Sequence, residues 1–242
     1  KLYNPVIVRK EVDDEHYYFV DDKFVPSVTK ILEAMPMPYG LRQWIGEVGN
    51  EKAEAKLNKA ADRGTLIHDT CEKLMNGLEI NLKELFPKHS DQKVIVGFVN
   101  WFNDFNPEYK VEDIERTVAS ALGFAGTLDL FCKIDGEPVI VDFKSSSGVH
   151  DSHKLQLTAY QQAFKEMTGI EAKRFILHLT PLTKKGYSVY GEDKMMIKKK
   201  PITTDDFMCV FNMYKMINGG IIPEPDLVNV YPDILKLFAE VK

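Results

Sequence analysis

Three cysteines in 242 residues, Cys71, Cys132 and Cys209, stand far apart with no C-x-x-C spacing. They can build neither a zinc ribbon nor a four-cysteine iron–sulfur cluster, and a reduced intracellular setting is expected. No run of about eighteen apolar residues occurs, and no basic-then-apolar leader opens the chain, so neither a membrane span nor a secretory signal is expected. The chain starts at Lys1 rather than at a methionine, so an upstream segment is expected to be missing. A formal net charge of −5 argues against a strongly basic surface, but it leaves room for a local cationic groove beside an acidic site. Internal repeats and low-complexity tracts are also absent. What remains, 44% hydrophobic and 28% charged residues, is ordinary globular composition and predicts one domain over 1–242.

The densest chemistry lies in one hairpin. Through 127–134, Leu128, Leu130, Cys132 and Ile134 alternate with other residues, which predicts a half-buried strand. Asp135-Gly136 is a hairpin turn, and Pro138 opens the next strand without forfeiting a needed N–H. On that strand the period of two puts Asp142 and Lys144 on one face, beside Asp129. Two carboxylates that close together need something positive between them, and an oxygen-rich pair with an open side suits Mg²⁺ or Mn²⁺. Lys144 could then hold a water or neutralise a phosphate. An ordinary Asp–Lys pair on a surface hairpin has the same pattern.

Around the hairpin, 16–25 reads as a β-hairpin with a polar turn at Asp21-Asp22-Lys23. Ser27 can cap a helix through Val28, Ile31 and Leu32 that ends before Pro36. Residues 41–74 read as polar helix with possible breaks at Gly46, Gly49 and Gly64, and so thin an apolar stripe belongs to a solvated face or a groove wall. Arg63-Gly64-Thr65-Leu66-Ile67-His68 then sets His68 near a helix start, where it is either a structural hydrogen-bonder or a ligand. Val94, Ile95, Phe98, Trp101, Phe102 and Phe105 recur at helical spacing, favouring a core face over base stacking. Residues 111–122 predict a strand that carries Glu115 toward the hairpin. A helix over 151–168, closed by Gly169, puts Gln156 and Tyr160 four apart on one face, toward Lys144; buried polar pairing competes with a functional role. Strands are expected at 173–180 and 186–191. From 184 to 200, six lysines face Glu192 and Asp193, a balance of +4 (6 − 2) that would attract a phosphate backbone or merely solvate a loop. A helix over 203–216 with Thr204 as cap, then a short terminal helix after 221–225, complete the chain.

In order, R-G-T-L-I-H, an upstream Glu, G-T-L-D, V-D-F-K and Q-L-T-A-Y resemble the RecB-type branch of the PD-(D/E)XK nuclease superfamily. The opening P-S-V-T-K-I-L and its helical follow-on are similar to phage exonucleases and to the mitochondrial genome maintenance exonuclease of that branch. The resemblance implies an α/β fold, a restriction-endonuclease-like core with a central mixed β-sheet flanked by helices. It implies a catalytic core over 110–180 and an N-terminal helical arch over 26–75. It makes His68, Asp129, Asp142 and the Phe143 carbonyl the ligands of one or two Mg²⁺ or Mn²⁺ ions, and Lys144 the catalytic lysine. Glu115 becomes the upstream acid, and Gln156 and Tyr160 the helix motif that supports the lysine. Arg63, Ser145, Gln156 and Tyr160, with Lys184 and Lys185 from the lysine-rich run, are the expected DNA contacts.

The implied activity is a metal-dependent deoxyribonuclease acting as an exonuclease on DNA, single-stranded or with free ends. A structure-specific or flap endonuclease, or a nuclease-fold protein that binds DNA without cutting, are the alternatives. The cysteines exclude the iron–sulfur cluster of some branch members. The lack of G-x-x-x-x-G-K-[ST] excludes a helicase fusion. Replication or recombination proteins are the implied partners, with the cytoplasm of a bacterial or phage-infected cell, rather than a mitochondrion, as the setting.

Overall fold

The computed structural model describes residues 2–12 and 15–222. Strands β1 (Ile7–Val12), β2 (Glu15–Val20) and β3 (Lys23–Val25) form a small antiparallel sheet in that order. Sequence pattern anticipated β2 and β3 but not β1, whose side chains are nearly all exposed and carry no apolar alternation. Ser27 then caps α1 (Val28–Leu32) by accepting the Lys30 N–H at 3.0 Å.

Helices α2 (Tyr39–Val48) and α3 (Asn50–Met75) meet at Gly49, whose φ of 88° is the left-handed conformation that lets the chain turn there. Gly46 and Gly64 do not break their helices. His68 therefore lies in the last third of a 26-residue helix rather than near a helix start. A glycine inside a helix costs only about 1 kcal/mol, and the packed end of α3, with Ile67, Cys71 and Met75 buried, outweighs that. The other end does not pack in this way: α2 buries no residue, and α3 buries only Ala53 before Ile67.

After the short α4 (Leu82–Leu85) comes α5 (His89–Phe105), which ends in a left-handed Asn106. A 3₁₀ turn (Val111–Asp113) leads to β4 (Ile114–Ser120), β5 (Phe124–Ile134) and β6 (Glu137–Lys144). The Asp135–Gly136 turn has φ of 52° and 79°, the two-residue hairpin geometry that its sequence demands. Helix α6 (Asp151–Thr168), with Gly169 as its left-handed cap, connects β6 to the parallel β7 (Lys173–Leu179); β8 (Tyr187–Tyr190) returns antiparallel. The sheet order is β4-β5-β6-β7-β8.

The lysine-rich run contains a tiny hairpin, β9 (Met196–Ile197) and β10 (Lys200–Pro201). Helix α7 (Thr204–Ile217) follows, capped by Thr203 rather than Thr204: both the N–H and the hydroxyl of Thr203 donate to Asp206. The expected terminal helix lies outside the described residues. No helix among those described is long and apolar enough to cross a membrane.

The five-stranded sheet separates two cores. On one face Phe124, Leu128, Ile140 and Ile176 pack with α1, α6 and α7. On the other Leu130, Cys132, Val141, Phe143 and Leu177 pack with α3 and α5, where Trp101 and Phe98 are fully buried. The aromatic face of α5 is thus core. Gly97 lets α5 approach the turn before β8: a Cβ there would lie 2.3 Å from the Gly186 carbonyl oxygen. This is a mixed sheet flanked by helices, the restriction-endonuclease-like architecture.

Candidate active site

Strand β5 changes faces in its middle. Phe124 and Leu128 belong to the α6 core, but Leu130, Cys132 and Ile134 belong to the α3–α5 core. The uniform alternation expected through 127–134 therefore fails at Asp129. The ladder is interrupted there on both sides. β4 pairs Ile114 with Leu130 and Arg116 with Leu128, passing over Glu115 and Asp129. β6 pairs as far as Val141 with Leu130 and stops before Asp142 would meet Asp129. Glu115 has a φ of 48°, a left-handed backbone that costs on the order of 1–3 kcal/mol in a residue with a side chain. Such strain persists only where its surroundings impose it.

The two interruptions release two acids toward α3. The ligand atoms of His68, Glu115 and Asp129 lie within 4.8 Å of one another, with His68 Nδ1 3.5 Å from Asp129 Oδ1. The other Asp129 oxygen replaces a ladder bond by accepting the Phe143 N–H at 2.5 Å. On β6, as the period of two requires, Lys144 Nζ sits 2.8 Å from Asp142 Oδ2. The Asp142 side chain is only 2% exposed, yet among the described residues neither of its oxygens receives a well-aligned hydrogen bond. The lysine is an ion-pair neighbour rather than a full partner.

The electrostatics show a site short of positive charge. Burial, then the Asp129 charge, pushes Glu115 up to about 7. Burial likewise raises Asp142 to about 6, with Lys144 opposing the shift and Asp129 adding to it. Burial also acts upward on Asp129, but the charge and hydrogen bond of His68, with Lys144 and the Phe143 N–H, outweigh it and hold this acid low. For His68, burial pulls downward and Asp129 overcomes it. For Lys144 burial is overcome by Asp142 and Asp129, so the amine stays charged.

Helix α6 packs on the other face of the sheet, with Tyr160 in its core. Gln156 Nε2 donates to the Tyr160 hydroxyl at 3.0 Å, which leaves the phenolic proton free to point elsewhere. Burial keeps that phenol far from ionising. Tyr160 lies flat enough on β5 that a Cβ on Gly126 would sit 2.5 Å from its ring, so the glycine of G-T-L-D is needed for the tyrosine to fit. Arg63 reaches the same region, donating to Asp91 at 2.8 Å and to the Ser145 carbonyl at 3.1 Å. Lys185 is held instead on α5, by Asp104 at 2.6 Å and through its own carbonyl by Asn100. No contact among the described residues ties Lys184 or Lys185 to the acids.

The donor set fits a divalent cation. An imidazole and two carboxylates converge, a third buried carboxylate, Asp142, stands beside them with the Lys144 ammonium at 2.8 Å, and burial raises two of the three acids. Sequence reasoning placed Glu115 upstream as an acid without the left-handed backbone that swings it in beside His68. It did not single out Asp91, which accepts from Arg63, or His178, whose Nε2 lies 2.8 Å from the Ser146 carbonyl oxygen; these contacts depend on helix packing and on the β6–β7 register.

Carboxylates, an imidazole and a lysine gathered at the interrupted centre of a mixed sheet can hold a divalent cation and place an ammonium beside it. The sequence model of the PD-(D/E)XK nuclease superfamily matches residues 36–215, most of the chain. The chain belongs to that superfamily, whose nucleases use divalent metal ions and whose fold implies DNA as substrate. Among solved structures, it is similar to a protein from Eubacterium rectale whose own exonuclease assignment is provisional. That likeness has 14% identity, a TM-score of 0.45, and coverage of 83% of this chain and 84% of the other. Among curated proteins none matches.

Proposed function

We propose that this nuclease is an exonuclease of the RecB-type branch that digests DNA from free single-stranded ends with Mg²⁺ or Mn²⁺. The observation that carries the proposal is the standing of α2 and the first half of α3 away from the core. The packed end of α3 delivers His68 to the acids, so the unpacked helices rise directly from the site. Lys56 Nζ lies 5.7 Å from the Trp44 ring centre and joins the two helices as one unit. A helical arch in this position admits one strand more readily than a duplex.

His68, Glu115, Asp129 and Asp142 are the residues that would hold the ion or ions. When bound, a divalent ion polarises the phosphate and acidifies a water. Lys144, oriented by Asp142 at 2.8 Å, offers its ammonium to a phosphate oxygen as charge builds there. Tyr160 keeps its proton and, with its oxygen engaged by Gln156, has that proton to donate to the backbone of the substrate. Ser145, next to the lysine, and Lys184 are further candidates for contact with DNA. The test compares linear, 5′-blocked, 3′-blocked and circular single-stranded DNA, with Mg²⁺ and with chelator. Digestion of linear DNA that one of the end blocks stops supports the proposal; circles cut as fast as linear strands would show an endonuclease instead.

A further inference from the structure

We propose that Arg63, Asp91 and His178 clamp the loop that follows Lys144 and act as positioning residues for its ammonium, an inference that rests on Lys144 being the catalytic lysine. Strand β6 ends at Lys144, and the next residues, Ser145-Ser146-Ser147-Gly148, have no apolar side chain to anchor them. A lysine at the last position of a strand inherits the motion of what comes after it.

Here two successive carbonyls of that loop are gripped. Arg63 Nη1 donates to the Ser145 oxygen at 3.1 Å, and His178 Nε2 lies 2.8 Å from the Ser146 oxygen. A carbonyl can only accept, so Nε2 of His178 bears the proton. The grips come from separate elements. Arg63 stands on α3, five residues before His68, and His178 lies on β7 directly opposite Lys144 in the parallel ladder.

Asp91, in the first turn of α5, fixes the guanidinium by accepting from Nε at 2.8 Å. The histidine residue is only 6% exposed, so its hydrogen bond has little freedom to wander; the Arg63 side chain is 30% exposed and is steadied by Asp91, itself 17% exposed. Two of Arg63's donor groups are thus engaged within the protein. Through Arg63, α3 joins His68 and the lysine loop to one element.

The test measures kcat and KM for a labelled single-stranded oligonucleotide with Mn²⁺. Wild type is compared with Asp91→Leu, His178→Ala, His178→Gln, Arg63→Ala and Lys144→Ala, each with a thermal melt. Asp91→Leu, which removes the acceptor for Arg63 Nε, and His178→Ala should lower kcat on the order of tenfold or more, as expected for a misplaced reacting group, with KM within about twofold. His178→Gln, whose amide can still donate to the Ser146 carbonyl, should recover most of the loss, and added guanidinium should partly restore Arg63→Ala. The near-isosteric Asp91→Leu and His178→Gln keep the test valid should the alanine variants not fold. Full kcat in Asp91→Leu and His178→Ala beside an inactive Lys144→Ala would overturn the clamp. So would a raised KM with reduced salt dependence and unchanged kcat, which would make Arg63 a phosphate contact. Wild-type cutting by Lys144→Ala would remove the catalytic role of the lysine itself, and the clamp's purpose with it.

Discussion

Gly126→Ala adds one methyl group at a place where the structure states what it meets. The new Cβ would lie 2.5 Å from Tyr160 Cε1 and 3.3 Å from both Cζ and the hydroxyl oxygen. The first distance is about 1 Å inside ordinary carbon–carbon contact. Gly126 has no left-handed φ, so alanine is tolerated by the backbone and the cost is purely steric. The ring cannot retreat freely, because Tyr160 is only 4% exposed in the core between the sheet and α6, and its hydroxyl is tied to Gln156. Overpacking of this kind costs about 1–3 kcal/mol, and under the proposed contact of Tyr160 with substrate a ring displaced by about 1 Å costs on the order of a hundredfold in rate. Thermal unfolding reads the first effect and oligonucleotide cleavage the second. In a Tyr160→Ala background the alanine at 126 should cost little stability, since the atoms it would strike are gone, while activity stays low. Wild-type melting and cleavage in Gly126→Ala would refute the close packing of Tyr160 on β5, and an equal loss of stability in both backgrounds would place the clash elsewhere.

Other outcomes follow from the same geometry. Asp129→Asn should abolish the rise in melting temperature that Mg²⁺ or Mn²⁺ gives the wild type, a rise corresponding to about 2.7 kcal/mol when the ion is at a hundred times its Kd. Without metal, Glu115 binds its proton more tightly folded than unfolded, so its contribution to stability is full below its ordinary 4.5 and is lost as pH rises through about 7. The metal-free melting temperature should therefore fall across that window, and Glu115→Gln should flatten the fall; a rise with pH would contradict the assigned burial. Lys198 and Lys199 form the β9–β10 turn with φ of 47° and 69° and present two ammonium groups. Replacing both by glutamate should weaken DNA binding and reduce its salt slope by about 1.4, at about 0.7 per single-strand phosphate contact, as read from binding titrations at several salt concentrations.

Where a site residue's place depends on local chemistry, the sequence was enough. The Asp135–Gly136 turn sets the register of β5 and β6, and a period of two then puts Asp142 beside Lys144, as their 2.8 Å separation shows. Helical spacing likewise joins Gln156 to Tyr160. Where the place depends on a departure from regularity, pattern misled. Leu128 and Leu130 look like one face, yet the strand shifts between them, and it is this shift, with the left-handed Glu115, that gathers the acids around His68. Gly64 looked like a helix break because local propensity cannot weigh the packing of Ile67 and Cys71 that carries α3 through it. Asp91 and His178 have no local signature at all: one depends on the docking of α5 beside α3, the other on a parallel pairing formed across the whole of α6.

The central claim is that Asp129, Asp142 and Lys144 form a metal-dependent centre for DNA hydrolysis. Its most direct test is the cleavage rate of a linear single-stranded oligonucleotide by wild type and by Lys144→Ala, with Mg²⁺ and with chelator. Rapid digestion by the wild type with Mg²⁺ alone, and none by a folded Lys144→Ala that still binds the ion, is the expected result. Cleavage by Lys144→Ala at the wild-type rate, or by the wild type in chelator, would contradict it.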